Sequence, residues 1–295
     1  MRYTKPALTF EQQADLLLSR GFKADKTELI GRLKTVGYYR LCAYWHPFKR
    51  HDNTFMAGAT LDTVWERYIF DRKLRLLIMD AIERIEIAFR AMVSEDLTMK
   101  FGPFAHLDAR AVPSAKPGQH EEFLDRLRED AQHSREVFIE HFRISYEEFP
   151  DIPLWAAVEI MTLGNLLTLF RMAGYRLHKE MARPFKITGL VLDSWFLTIN
   201  YARNMCAHHS RLVQRVMAIK PLIPDLKNDP RWHGSPAIRN THVFGLLTIL
   251  AYLTAVVSPQ STWRDHVKRL FDEHPNISEA MLGCPPGWRE HPFWK

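Results

Sequence analysis

The stretch from Thr60 to Gly102, "TLDTVWERYIFDRKLRLLIMDAIERIEIAFRAMVSEDLTMKFG", constrains the fold more than any other part of the chain. Val64, Tyr68, Leu74, Ile78, Ile82, Ile85 and Phe89 keep the spacing of one helical face. Thr60 offers a cap and Gly102 a stop, so the stretch predicts one very long helix or two nearly collinear ones. Other elements must pack around such a rod. Alternating apolar runs are few and no Asn-Gly hairpin turn occurs, so the partners are helices and the fold class is all-α.

The flanking sequence supplies those partners. "LTFEQQADLLLSRG" has Thr9 as cap, Gln12 three residues on and Gly21 as stop, and "DKTELIGRLKTVG" repeats the design with Asp25 and Gly37. "YYRLCAYWHPFKRH" follows and breaks at Pro47. After the rod, "GPFAHLDARAVPSAKPGQHEE" reads as a mobile loop, and helices resume at about 120–147. "LWAAVEIMTLGNLLTLFRMAG", "ITGLVLDSWFLTINYARNMCAHHSRLVQRVMAI" and "SPAIRNTHVFGLLTILAYLTAVV" read as three further helical segments, and "GCPPGWREHPFWK" as an irregular end. The organisation is a small basic N-terminal helical arm (1–55), a helical bundle (56–258) and a C-terminal helix with an irregular tail (259–295).

Composition narrows the function classes. At 46% hydrophobic and 25% charged the chain is that of an ordinary folded protein. "VFGLLTILAYLTAVV" is too short to span a bilayer, and the N-terminus lacks an apolar signal core, so the expectation is a cytoplasmic protein without a membrane partner. Cys42, Cys206 and Cys284 are isolated, which argues against a disulfide framework or a thiolate zinc site. No HExxH occurs, and neither a metal nor another cofactor is expected. The net charge of +6 lies wholly in residues 1–51, where ten Lys/Arg face four Asp/Glu. A basic segment on a neutral body suits a polyanion, nucleic acid first, or is simply a solvated surface.

The chemistry concentrates in "RNMCAHHSR" (203–211). At about 100° per residue, Trp195, Ile199, Ala202, Cys206 and His209 share one line, the stripe that meets the core, which makes His209 structural. Asn204, His208 and Arg211 lie opposite, with Leu197 and Tyr201 nearby and Arg203 between the faces. An imidazole, with an ordinary pKa of about 6.5, moves protons at neutral pH. A guanidinium holds phosphoryl oxygens, and an asparagine orients a histidine or binds backbone. This set suits a phosphodiester and requires no metal; an RNA substrate brings its own 2′-hydroxyl as nucleophile. The Arg-to-His spacing alone is weak, since Arg128/His133 and Arg269/His274 repeat it. Only at 203 does Asn follow the Arg on a strongly apolar helix. A second face of this kind also fits another helix or another copy of itself.

The segment "RNMCAHHSRL" resembles the RNxxxH signature of HEPN domains. Together with "GYYRLCAYWHPF", "FDRKLRLLIMDAIERIEIAFR", "LWAAVEIMTLGNLLTLF" and "WFLTINYARNMCAHHSRL", it is similar to the abortive-infection Abi-D/Abi-F family over most of residues 5–220. The resemblance implies a HEPN-type bundle, a toxin role in bacterial antiviral defence, and RNA as target. It implies a homodimer, because HEPN RNases join two motifs into one composite site. It also implies metal-independent transesterification, with Arg203 on phosphate, Asn204 orienting and His208 as acid or base. A structured small RNA would restrain the toxin.

Further RNA contacts fall on two basic runs. Tyr39 offers a stacking platform among Arg40, Lys49 and Arg50, and Arg211 adds a cation at the motif. Arg176 belongs to a run with Arg171, Lys179, Arg183 and Lys186 that precedes the motif helix. Packing aromatics with solvated cations fits the same residues. Glu86 and Arg90 read as an intrahelical pair. A competing reading of the whole chain is a non-catalytic RNA-binding or sensor module that dimerises through the motif helix.

Overall fold

The first helices begin where the sequence places their caps. The computed structural model describes Arg2, Thr4 and residues 6–295. Helix α1 (Phe10–Ser19) opens under a capping box, in which Thr9 Oγ1 accepts from the Gln12 N–H at 3.2 Å and Gln12 Oε1 accepts from the Thr9 N–H at 2.9 Å. Asp25 caps α2 (Lys26–Val36), which stops at Gly37. That glycine takes φ +88°, a left-handed turn that lets α3 (Tyr38–Trp45) start at once. Ala14, Leu17, Leu29, Leu33, Leu41 and Trp45 form a core of their own, which closes on Leu61 and Val64 of the next helix.

That helix is α4 (Leu61–Phe101), one uninterrupted rod of 41 residues from the Thr60 cap to Gly102. At 1.5 Å per residue it is about 60 Å long. Its apolar stripe is buried as the periodicity predicts, with Tyr68 half-buried. Three charged residues also lie buried along α4: Arg67, Asp71 and Arg75.

The 102–118 stretch is irregular but seated. It makes two short 3-10 turns and buries Ala105, His106, Ala111 and Val112, and its Ser114 N–H donates to Met172 O at 2.8 Å. Helices α5 (Gln119–His133) and α6 (Val137–Ser145) follow. The single helix expected over residues 154–174 is instead two, α7 (Leu154–Ile160) and α8 (Leu163–Ala182). Thr162 explains the break, because its hydroxyl accepts from the Asn165 N–H and caps a new start. Arg90 of α4 bridges the gap by donating to the Val158 and Met161 carbonyls while paired with Glu86. Helix α8 kinks at Gly174 (φ +76°), where a Cβ would meet Ser114 Oγ at 2.4 Å.

Helix α9 (Gly189–Ala207) packs on α8 and α4. Helix α10 (Val243–Val257) is buried against α4 and α9, and α11 (Trp263–Asp272) completes the bundle. The irregular tail is a plug: Trp288 and Trp294 are buried beside Phe244 and Trp263. Among the described residues there are eleven α-helices and no strand, and no helix is long and apolar enough to cross a membrane.

Candidate functional site at the end of the motif helix

Helix α9 stops before its motif is complete. It ends at Ala207, so His208 is the capping residue and Ser210 and Arg211 lie beyond the helix. The Ser210 N–H donates to Met205 O at 2.8 Å and the His209 N–H to Cys206 O at 3.0 Å. These are the two bonds of a Schellman cap. His209 takes φ +56°, the left-handed position usually held by glycine, and is exposed. The expectation that His209 lies on the core stripe is therefore corrected. Helical spacing stops applying one residue earlier, and the side chain is carried outward.

Arg211, expected opposite the core stripe with Asn204 and His208, likewise lies past the helix end, while the placements up to His208 follow the helical arithmetic. Trp195, Ile199, Ala202 and Cys206 are buried. Asn204 and His208 are exposed, and Arg203 lies partly exposed with its Nη1 3.3 Å from Asn204 Oδ1. Arg203, Asn204 and His208 thus share the solvent-facing end of α9. Burial pushes the Cys206 thiol up to about 12, which keeps it protonated and out of nucleophilic chemistry. Above the cluster Leu190 is exposed, while Ser194, Leu197 and Tyr201 are partly buried. Ser194 Oγ accepts from the Leu222 N–H at 2.9 Å and the Tyr201 hydroxyl from Arg215 at 3.2 Å. With Asn204 and His208 these positions repeat every four and three residues, the spacing of a helix-pairing seam.

The chain after the cap is held from three sides. Arg40 of α3 donates to His209 O at 2.8 Å, Arg75 of α4 donates to Ser210 O at 3.2 Å, and Arg211 donates back to Ala43 O of α3. Asp71, with 0% of its surface exposed, accepts from the Val213 N–H (2.9 Å), the Leu212 N–H (3.0 Å), the Tyr44 hydroxyl (2.7 Å) and Arg75 (2.6 Å). Burial pushes the Asp71 carboxyl up, and these donors oppose the shift. Burial also raises the Tyr44 hydroxyl, with the Asp71 carboxylate adding to it. Arg67, stacked 4.3 Å over Phe48, is pushed down by burial and by the neighbouring Arg211 cation.

The predicted RNA-contact residues divide. Arg40 stands at the motif turn, where Arg211 also lies, although its guanidinium turns inward to α3, and Tyr39 beside Arg40 in sequence is 84% exposed. Lys49 donates to Asn53, and Arg50 to Thr54 and Phe55 O, bonds that brace their own hairpin. Arg176 makes a two-pronged pair with Asp96 at 3.0 and 2.6 Å. Asp96 lies 25 positions past Asp71 on α4, about 38 Å along the axis, so Arg176 is far from the motif. Asp71 and Arg75 were not among the residues the sequence singled out, and Tyr44, read there as a stacking or packing aromatic, instead donates to Asp71. The signal was that this carboxylate and arginine, four apart, fall on the buried stripe of α4 between Phe70 and Ile78. No group of three His, Cys, Asp or Glu side chains among the described residues is placed to hold a metal ion.

The chain is an all-α protein that gathers a basic and amide cluster at an exposed helix end, tied to its N-terminal helices. Residues 31–214 match the family model described as Abi-like protein, and the chain belongs to that family. Membership implies abortive infection, the defence of bacteria against phage. The matched region ends one residue past Val213, so it encloses the whole motif turn and its anchor. No curated protein and no solved structure gives a significant match.

Proposed function

We propose that this protein is a HEPN-type, metal-independent endoribonuclease toxin of phage defence, acting at a composite site shared by two copies. The observation that carries this reading is the gathering of Arg203, Asn204 and His208 on one solvent-facing helix end. One His208 takes the proton of the RNA 2′-hydroxyl, whose oxygen attacks the adjacent phosphorus. The 5′-oxygen leaves and takes a proton from the second copy's His208, giving a 2′,3′-cyclic phosphate and a 5′-hydroxyl. Arg203 neutralises the charge gathering on the phosphoryl oxygens. A single chain offers one such set, and the solvent-facing end of α9, where Asn204 and His208 are exposed, suits a second copy. The exposed Tyr39 ring and the arginines at the turn suit RNA, as substrate or as a structured small RNA that restrains the toxin.

RNA cleavage by purified protein in EDTA, with end-group analysis, tests this. Wild type should leave cyclic phosphate ends, and His208→Ala should leave the RNA intact while remaining folded. Cleavage undiminished in His208→Ala would refute the catalytic role. RNA bound but uncut by the wild type, once a co-purified RNA is removed, would favour the sensor reading.

A further inference from the structure

The turn after α9 poses a packing problem that α4 solves. Leu212 and Val213 are buried, so their backbone N–H groups need acceptors, and neither a helix nor a strand supplies them. The Asp71 carboxylate supplies both. Its other oxygen accepts from Tyr44 and Arg75, and Arg75 reaches on to Ser210 O. Four groups thus converge on one buried anion four residues beyond His208, while His209 holds a left-handed conformation that non-glycine residues rarely adopt. His208, the capping residue, stands at the start of this turn.

We propose that Asp71 is the positioning residue of the motif, and that Tyr44 makes the N-terminal helices part of the site. Asp71 touches no reacting atom. It fixes the 208–213 turn, and through the turn the placement of the His208 imidazole against Arg203 and Asn204. Tyr44 joins α3 to the same carboxylate, and Arg40 and Arg211 clasp α3 to the turn in both directions. The N-terminal unit, which packs a core of its own, is in this way built into the active geometry. The proposal deepens the ribonuclease reading and rests on it.

Tyr44→Phe is the cleanest test, because it removes one hydroxyl and keeps the ring against Tyr68. Asp71→Asn is the stronger variant. Cleavage is followed at a temperature where both are folded, with the His208 ring signals, assigned by their loss in His208→Ala, recorded by NMR. Tyr44→Phe should lower kcat about tenfold and Asp71→Asn about a hundredfold, with KM within about twofold of wild type. The His208 ring signals should move in both. Wild-type kcat and unmoved ring signals in a folded Tyr44→Phe would overturn the proposal while the ribonuclease reading stood. A wild type that cuts no RNA would fail that reading instead, and ring signals unmoved in both variants would then overturn the positioning too. If Asp71→Asn does not fold, Tyr44→Phe decides alone.

Discussion

Two arginine-rich regions of this molecule look alike in sequence and differ in what their cations touch. Along α8, Arg171 pairs with Asp193 and Arg176 with Asp96, each guanidinium facing its own carboxylate. Around the end of α9, Arg40, Arg75 and Arg211 donate to backbone carbonyls, and Arg203 to an amide oxygen. Asp71 is the carboxylate bound into that group, and it is already saturated with donors. In the first region Arg171 and Arg176 are neutralised at close range and structural. The second keeps uncompensated positive charge beside an exposed imidazole, which is what a polyanion would seek.

The largest expected difference between the regions is in cleavage. Arg203→Ala should lower kcat about 100- to 1,000-fold, whereas Arg176→Ala should leave it unchanged. Equal losses in a single-turnover assay would break the comparison.

Acid should act away from the motif instead. Burial holds His106 down at about 4 and also lowers His178, which lies near Arg171 and Asp193. The unfolded chain takes up protons below about 6.5 that the folded chain refuses. Stability is therefore whole above that pH and falls as pH drops toward 4, by about 3 kcal/mol from His106. Urea unfolding at pH 7 and 4.5 measures this fall, and His106→Gln should flatten it.

A smaller effect separates the two histidines of the motif. His209→Ala should change stability by no more than about 0.5 kcal/mol, since both side chains carry the Cβ that a left-handed position penalises, and His209→Gly should match or exceed wild-type stability in the same unfolding assay. Both should still cut RNA. A loss on His209→Gly as complete as that on His208→Ala would bring the second imidazole into the chemistry. Arg176→Ala should also cost little, no more than about 1 kcal/mol, since the pair is partly solvated. Its RNA affinity should keep the wild-type salt dependence.

The helical class, the caps at Thr9, Asp25 and Thr60, and the buried face of α4 were legible because they depend on local spacing. The exposed positions of Asn204 and His208 were legible for the same reason. His209 was misplaced because a helix end is set by the backbone conformation of one residue, and a histidine in a glycine's place gives no signal. The split between α7 and α8 was missed because the apolar pattern runs through a Thr162 that acts as a cap. Asp71 was hidden differently. A carboxylate on an apolar stripe predicts a buried partner, but the partners are residues 27 positions before it and more than 140 after it. Distance in sequence also hid the pairing of Arg176 with Asp96, whereas the local pair of Glu86 and Arg90 was legible.

One consequence of α4 concerns the kinds of change this chain tolerates. The helix is tied at Asp71 to the motif turn, at Arg90 to the gap between α7 and α8, and at Asp96 to Arg176. Inserting one residue between any two of these ties would rotate one against the other by about 100° and shift it by 1.5 Å. Substitutions along the rod can be absorbed one at a time, but a single insertion would put whole neighbouring elements out of phase. The rod works as a ruler, and divergence in length should collect in the connections around it, never between its marks.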